Sequence, residues 1–267
     1  MQPELTFYLF GMTVKIQAYI LFTILGALTG TAAALPLFKR EGLPLLRALG
    51  LLTCMAVAFL AGARLLNFVI NPAAYGGSLH VYTLRLAGLS LYGGIFCSLA
   101  VLLSWARATR ADAWRLLDAL VLPTGLAFAL ARVGCYLNGC CAGIATGSRW
   151  GVPFPLPENG QELFSEIFPL LLKGCTTVSL YPTQLFELAL ALLGLIPVLW
   201  LYFRRRLPRG AAFLLYGVWF SAMRLAVLPL RSLLYAEIVV KYLYPMFYIG
   251  LILSGIFLLI RKLRDGS

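Results

Sequence analysis

Residues 121–143 read VLPTGLAFALARVGCYLNGCCAG. A helix that crosses a bilayer needs roughly 20 consecutive apolar residues, and the run from about residue 117 to 137 supplies them. Its end then carries an arginine, an asparagine and three cysteines, from Arg132 to Cys141. A plain anchor has no use for these groups. Either neighbouring elements satisfy them for structural reasons, or this end of the helix does chemistry.

The rest of the chain sets that run in a membrane protein. It is 61% hydrophobic and 12% charged, with mean hydropathy +0.88. Soluble domains average about 45–50% apolar and about 25% charged residues. Seven apolar runs are long enough to span: about 16–38, 48–70, 86–104, 117–137, 182–203, 211–230 and 242–260. With no repeat of fixed period and no low-complexity tract, residues 1–267 read as a single integral membrane domain. The expected fold is all-α, a polytopic membrane helical bundle of about seven transmembrane helices. No stretch is polar enough for a receptor ectodomain or a soluble catalytic domain.

Charge orients the bundle. The net charge is +12, and 13 of the 22 basic residues follow the first, third, fifth and seventh runs. They include Lys39, Arg40, Arg107, Arg110, Arg204, Arg205, Arg206, Arg261 and Lys262. Loops rich in lysine and arginine stay on the cytoplasmic side, so the N-terminus is expected outside and the C-terminus in the cytoplasm. The same distribution argues against nucleic acid as a partner and for anionic membrane lipids. A cleaved signal peptide carries its positive charge before the apolar run. Here Lys39 and Arg40 come after it, so the first run is read as a retained span.

Three arginines, Arg64, Arg132 and Arg224, fall inside apolar runs. A charge near the bilayer centre costs about 2.5–3.5 kcal/mol on insertion scales and needs a partner or a cavity. The one acid well inside a run is Glu187, in YPTQLFELAL. It is expected to brace an arginine, with Arg64 one candidate. One carboxylate does not neutralise three guanidiniums, so the surplus is positive and calls for an anionic guest. Arg132 and Arg224 lie nearer the ends of their runs, where they either snorkel to the interface or bind a lipid phosphate bidentately. The pair Gly93 and Gly94, with Gly134, Gly139 and Gly143, suits either close helix packing or access for a ligand.

Together these blocks resemble the prolipoprotein diacylglyceryl transferase family. The resemblance rests on LSLYGG (89–94), RVGCYLNGCCAG (132–143) followed by WG (150–151), YPTQLFE (181–187), and Arg224 with Arg231 seven residues on. It covers about residues 12–262, with the blocks in order. It implies a seven-span enzyme of the bacterial inner (cytoplasmic) membrane. Such an enzyme moves the diacylglyceryl group of phosphatidylglycerol to the lipobox cysteine thiol of a preprolipoprotein and releases glycerol 1-phosphate. Arg132 matches the arginine that opens the family signature, Gly143 its closing glycine and Asn138 its second asparagine. Arg224 matches the sixth-span arginine, and Tyr19 a first-span tyrosine. The chain departs from the common pattern at Tyr92, where many members have histidine, and at Cys135, Cys140 and Leu228, which replace an asparagine and two glutamates. It is similar to a cysteine-rich branch.

The expected site follows. Arg132 and Arg224 lower the pKa of an incoming thiol and stabilise charge on the departing phosphate. Tyr92 joins them as a catalytic candidate that hydrogen-bonds the headgroup. Asn138, Gly143, Tyr19, Gly93, Gly94 and Glu187 line the substrate. His80 reads as an ordinary loop histidine, and the general base is open. No cofactor is called for. The cysteines lack CxxC pairs and histidine neighbours, so no metal is assigned. Cys140 or Cys141 either pairs with Cys175 across the outer loop or stays a free thiol. Two rival functions stand beside transfer: a noncatalytic or altered-substrate lipid-binding relative, and a small-solute transporter. A transporter predicts paired halves and a midplane site, and the sequence displays neither.

Overall fold

The computed structural model describes residues 4–9, 12–72, 89–155, 177–204, 206–233 and 235–265. Among these residues, seven helical segments are long and apolar enough to cross a membrane. In the bilayer core no water satisfies peptide groups, so each apolar run closes its own hydrogen bonds as a helix. In chain order these are α1 (Ala18–Arg40), α2 (Leu45–Ile70) and α3 (Leu91–Thr109). A short α4 (Ala113–Ala119) then turns into α5 (Val121–Leu137) to make the fourth span. The rest are α6 (Thr183–Phe203), α7 (Ala211–Val227) and α8 (Tyr244–Asp265). A 3-10 turn over Leu228–Leu230 closes α7, and a π turn over Val239–Leu243 leads into α8.

The expected spans hold, with two shifts. The third helix starts at Leu91 and runs to Thr109, five residues later than the hydropathy run suggests. Ser90 is extended, and its N–H donates to the Ala63 carbonyl of α2, so the chain is held against α2 before it coils. The fourth span starts earlier, because Asp112 caps α4 by accepting from Trp114 and Arg115 N–H. Two small antiparallel hairpins add to the all-α expectation: β1 (Glu4–Leu9) with β2 (Met12–Gln17), and β3 (Val152–Pro155) with β4 (Thr177–Leu180).

Helix α1 lies against α5, α2 against α3, and α6 between α5 and α7, with α8 on α7. Glycines set the closest approaches. A Cβ on Gly93 would sit 2.2 Å from the Gly62 carbonyl oxygen, so the α2 and α3 backbones touch there. Trp219 of α7 fills the notch at Gly194 of α6 and donates to the Leu190 carbonyl at 2.7 Å. Large apolar side chains such as Leu46, Leu253, Phe257 and Met246 are left exposed, as a lipid-facing surface requires.

Glu187 is not the only acid inside the spans. Asp118 is buried, and its carboxylate accepts from the Gly210 and Phe213 N–H groups at 2.6 and 2.8 Å. It thereby satisfies N–H groups at the start of α7, which has no preceding helical turn to do so. Gly210 adopts φ +86°, and Trp114 packs where its Cβ would be.

Candidate active site

Four elements converge on one carboxylate. Glu187, in the second turn of α6, is 1% exposed. Arg224 Nη1 of α7 donates to its Oε1 at 2.6 Å, and Arg231 Nη1 donates to the same oxygen at 2.8 Å. Arg132 Nε of α5 lies 2.8 Å from Oε2 in an ion pair. The three arginine side chains are only 10–11% exposed, so neither Arg132 nor Arg224 snorkels out of the bundle. Arg64 is buried on α2, but it is not one of these three partners, and the expected brace to Glu187 is corrected to Arg231.

Local folding explains how Arg231 arrives. The helix of α7 tightens into the 3-10 turn at Leu228–Leu230, where Pro229 cannot continue the ladder. Arg231 is then extended and bridges to Gly143, while Ile144 N–H donates to the Leu230 carbonyl. Gly143 N–H in turn donates to the Tyr181 carbonyl at 2.8 Å. A Cβ at Gly143 would fall 2.2 Å from the Leu230 carbonyl oxygen and 2.8 Å from Tyr181 Cβ. Only glycine fits between these two backbones. The segment after α5 is thus clamped to the start of α6 on one side and to the end of α7 on the other.

Three guanidiniums against one carboxylate leave two positive charges in a dry interior. Burial, and then the neighbouring Arg224, pull the Arg231 guanidinium below its ordinary value. Arginine stays protonated in proteins, so the charge persists. Arg132 also stacks over Phe128 at 4.7 Å. Among the described residues, Arg224 Nε and Arg231 Nε are buried donors without an acceptor. Such groups are rare in native interiors. The arrangement suits an anion with several oxygens, which can accept from guanidinium groups in pairs.

The remaining expected residues fall into two groups. Tyr92 lies beside Arg224, packed edge-on against Phe247 at 4.9 Å, with its buried hydroxyl next to Ser221. Gly93 and Gly94 follow it, facing Gly62 and the Phe59 ring of α2. That packing explains both glycines without a ligand. Tyr19 of α1 and Asn138, which ends α5, border a second cluster, the thiols of Cys135, Cys140 and Cys141. His80 and Cys175 lie outside the described residues, so the proposed pairing with Cys175 does too.

The three sulfur atoms lie within 4.8 Å of one another. Their backbone is held by Thr183 Oγ1, which donates to the Cys141 carbonyl at 2.9 Å, and by Gln184 Nε2, which donates to the Cys140 carbonyl at 2.7 Å. Hydrogen bonds from Cys135 and Cys140 hold the Cys141 thiol well below the usual thiol range, with Arg132 and Arg231 adding to the effect. A hydrogen bond with Cys135 draws Cys140 down, but its bond with Cys141 and burial outweigh that and push it up to about 11. Arg231 and this thiol cluster stand out less in the sequence than their place at the site warrants. For Arg231 a signal existed: it is a basic residue close to the end of an apolar run and outside the basic loops.

Comparison with known proteins supports the same reading. The family model described as prolipoprotein diacylglyceryl transferase matches residues 6–261. The phosphatidylglycerol–prolipoprotein diacylglyceryl transferase of Solidesulfovibrio magneticus is 30% identical over 225 residues, 81% of this chain and 78% of that protein. The protein of the same name from Porphyromonas gingivalis is 27% identical over 221 residues, 78% of this chain and 75% of that one. A shorter match of 147 residues, 32% identical, links the chain to the Lactobacillus johnsonii protein of that name. With the family model spanning nearly its whole length, this chain belongs to the prolipoprotein diacylglyceryl transferase family.

Proposed function

We propose that the chain transfers the diacylglyceryl group of phosphatidylglycerol to the lipobox cysteine of preprolipoproteins, releasing glycerol 1-phosphate. The observation that carries this is the Glu187 cluster: three buried guanidiniums with two charges in excess of their carboxylate. A phosphodiester supplies one negative charge in the ground state, and its leaving phosphate gains a second as the carbon–oxygen bond breaks. A site with two surplus positive charges therefore binds the departing group more tightly than the intact lipid, which is what lowers a barrier.

In this reading Arg224 and Arg231 turn their unpaired Nε groups to the phosphate, while Glu187 holds the three guanidiniums in place. Tyr92 hydrogen-bonds the headgroup beside Arg224. Asn138 and Tyr19 line the approach of the acceptor, and Gly143 keeps the clamp closed. The chain is one multi-pass membrane domain of the bacterial inner membrane, N-terminus outside and C-terminus in the cytoplasm. Arg132, near the outer end of its span, and Arg224 then face the side on which exported preproteins emerge.

Purified protein in vesicles of phosphatidylglycerol, given a lipobox peptide, should release glycerol 1-phosphate and raise the peptide mass by one diacylglyceryl group. A peptide that remains unmodified, in vesicles where the protein is folded and the lipid accessible, would contradict the reading.

A further inference from the structure

We infer that Cys135, Cys140 and Cys141 form a three-sulfur zinc site whose fourth position presents the acceptor thiol to the lipid. The second half of this statement rests on the transfer reading above; the metal site does not.

The geometry comes first. Zinc–sulfur bonds of about 2.3 Å in a tetrahedral site set the sulfurs about 3.8 Å apart. The three sulfurs already lie within 4.8 Å, so closing on an ion brings them together by about 1 Å at most. A disulfide would instead join two of them at about 2.0 Å and leave the third over. The backbone is shaped for convergence. Gly139 and Cys141 take φ of 73° and 62°, two left-handed residues in three, and Cys141 does so with a side chain. A non-glycine residue there is disfavoured, and such strain persists where the surroundings fix it. Here the fixing contacts are the hydrogen bonds from Thr183 and Gln184 to the Cys141 and Cys140 carbonyls.

Charge and ligand type agree. Three thiolates and one zinc ion carry a net charge of minus one, and Cys141 lies within electrostatic reach of Arg132 and Arg231. The positive surplus around Glu187 thus offsets the anionic complex and leaves one charge in excess to meet the phosphodiester. Sulfur-only ligation selects soft or borderline cations over magnesium or calcium. Three protein ligands with one open position is the arrangement of catalytic zinc, whereas structural sites are closed by four.

The open position answers a chemical need. A free thiol is mostly protonated at neutral pH, and the thiolate is the nucleophile. Glu187 is a poor proton acceptor because three guanidiniums hold it. A thiol that binds zinc is deprotonated outright, and its proton goes to water. The bound thiolate sulfur then attacks the diacylglyceryl carbon. The carbon–sulfur bond forms as the carbon–oxygen bond breaks, and the electron pair leaves on glycerol 1-phosphate as its dianion.

The test uses the full purified chain. After chelator treatment and dialysis against Zn(II), wild type should retain one zinc per chain. Zinc should also shield Cys135, Cys140 and Cys141 from alkylation relative to the metal-free chain, a mapping that needs no variant. Replacement by Cd(II) should give the ultraviolet absorption of sulfur-to-metal charge transfer, reduced in Cys140→Ser. Transfer should fall about tenfold or more on chelation, because most acceptor thiol is then protonated, and return with Zn(II). Wild type that transfers at full rate with no zinc bound overturns the proposal and leaves the transferase reading standing. So does zinc binding that leaves the three thiols open to alkylation. Zinc held by the three sulfurs without lipid transfer under any condition supports the metal site, but overturns both acceptor presentation and the transferase reading.

Discussion

Glu187 holds three cations in an interior where none can be rehydrated, so its charge matters more than its volume. Glu187→Gln should lower stability by about 3–5 kcal/mol, the usual cost of breaking a buried ion pair; thermal unfolding in detergent reads the loss. Arg224→Gln acts differently, since it removes a donor aimed at the leaving phosphate. Transfer should fall about 10²–10³-fold, as when one donor to a developing oxyanion is deleted, measured as glycerol 1-phosphate release under saturating lipid. Much of this was legible in the sequence. Arg132, Arg224 and Glu187 stand out as charges in apolar runs, and they do meet. Arg231 was harder to see because it follows Pro229 at the edge of a span, where a basic residue looks like an ordinary loop charge. Arg64 misled for the opposite reason: burial in an apolar run says that a charge needs compensation, but not which group supplies it.

The segment from Gly143 to Thr146 is the joint that ties α5, α6 and α7 together, through Tyr181, Leu230 and Ser179. Gly143→Ala would force the Leu230 carbonyl aside and move Arg231 with it. Stability should drop by about 1–3 kcal/mol, as for overpacking in a close-packed interior, and transfer should drop with it. Gly217 of α7 is the contrast, because nothing lies within 4 Å of the position its Cβ would take. Gly217→Ala should hold stability or raise it by up to about 1 kcal/mol, and leave transfer unchanged. Parallel melting curves and rate assays on the two variants check the pair. Hydropathy located the long helices because apolar length is what a bilayer demands. It missed where α3 begins, since Ser90 is held by a hydrogen bond to α2 that no run of residues announces. The convergence of three thiols likewise depends on the φ values of Gly139 and Cys141, which their spacing does not encode.

The bundle as a whole is a membrane enzyme scaffold whose basic loops and buried cations serve different ends. Arg204, Arg206, Arg261 and Arg264 belong to one group of loops, and the Glu187 cluster lies toward the opposite ends of the helices. A membrane-impermeant thiol reagent should therefore label a cysteine placed at Ser148 from outside intact cells, and label one placed at Ser267 only after permeabilisation. Labelling of Ser267→Cys in intact cells would reverse the orientation. Family and span number came from patterns spread over the whole chain, which is why they were readable without a structure. The electrostatic surplus at the site came only from counting partners in space. Equilibrium binding of phosphatidylglycerol to folded wild type and to Arg231→Gln tests it most directly. A charge-assisted hydrogen bond contributes about 1.5–3 kcal/mol, so the variant should bind roughly ten- to a hundredfold more weakly. A folded Arg231→Gln protein that binds the lipid as tightly as wild type would contradict the claim that the guanidinium cluster holds the phosphate.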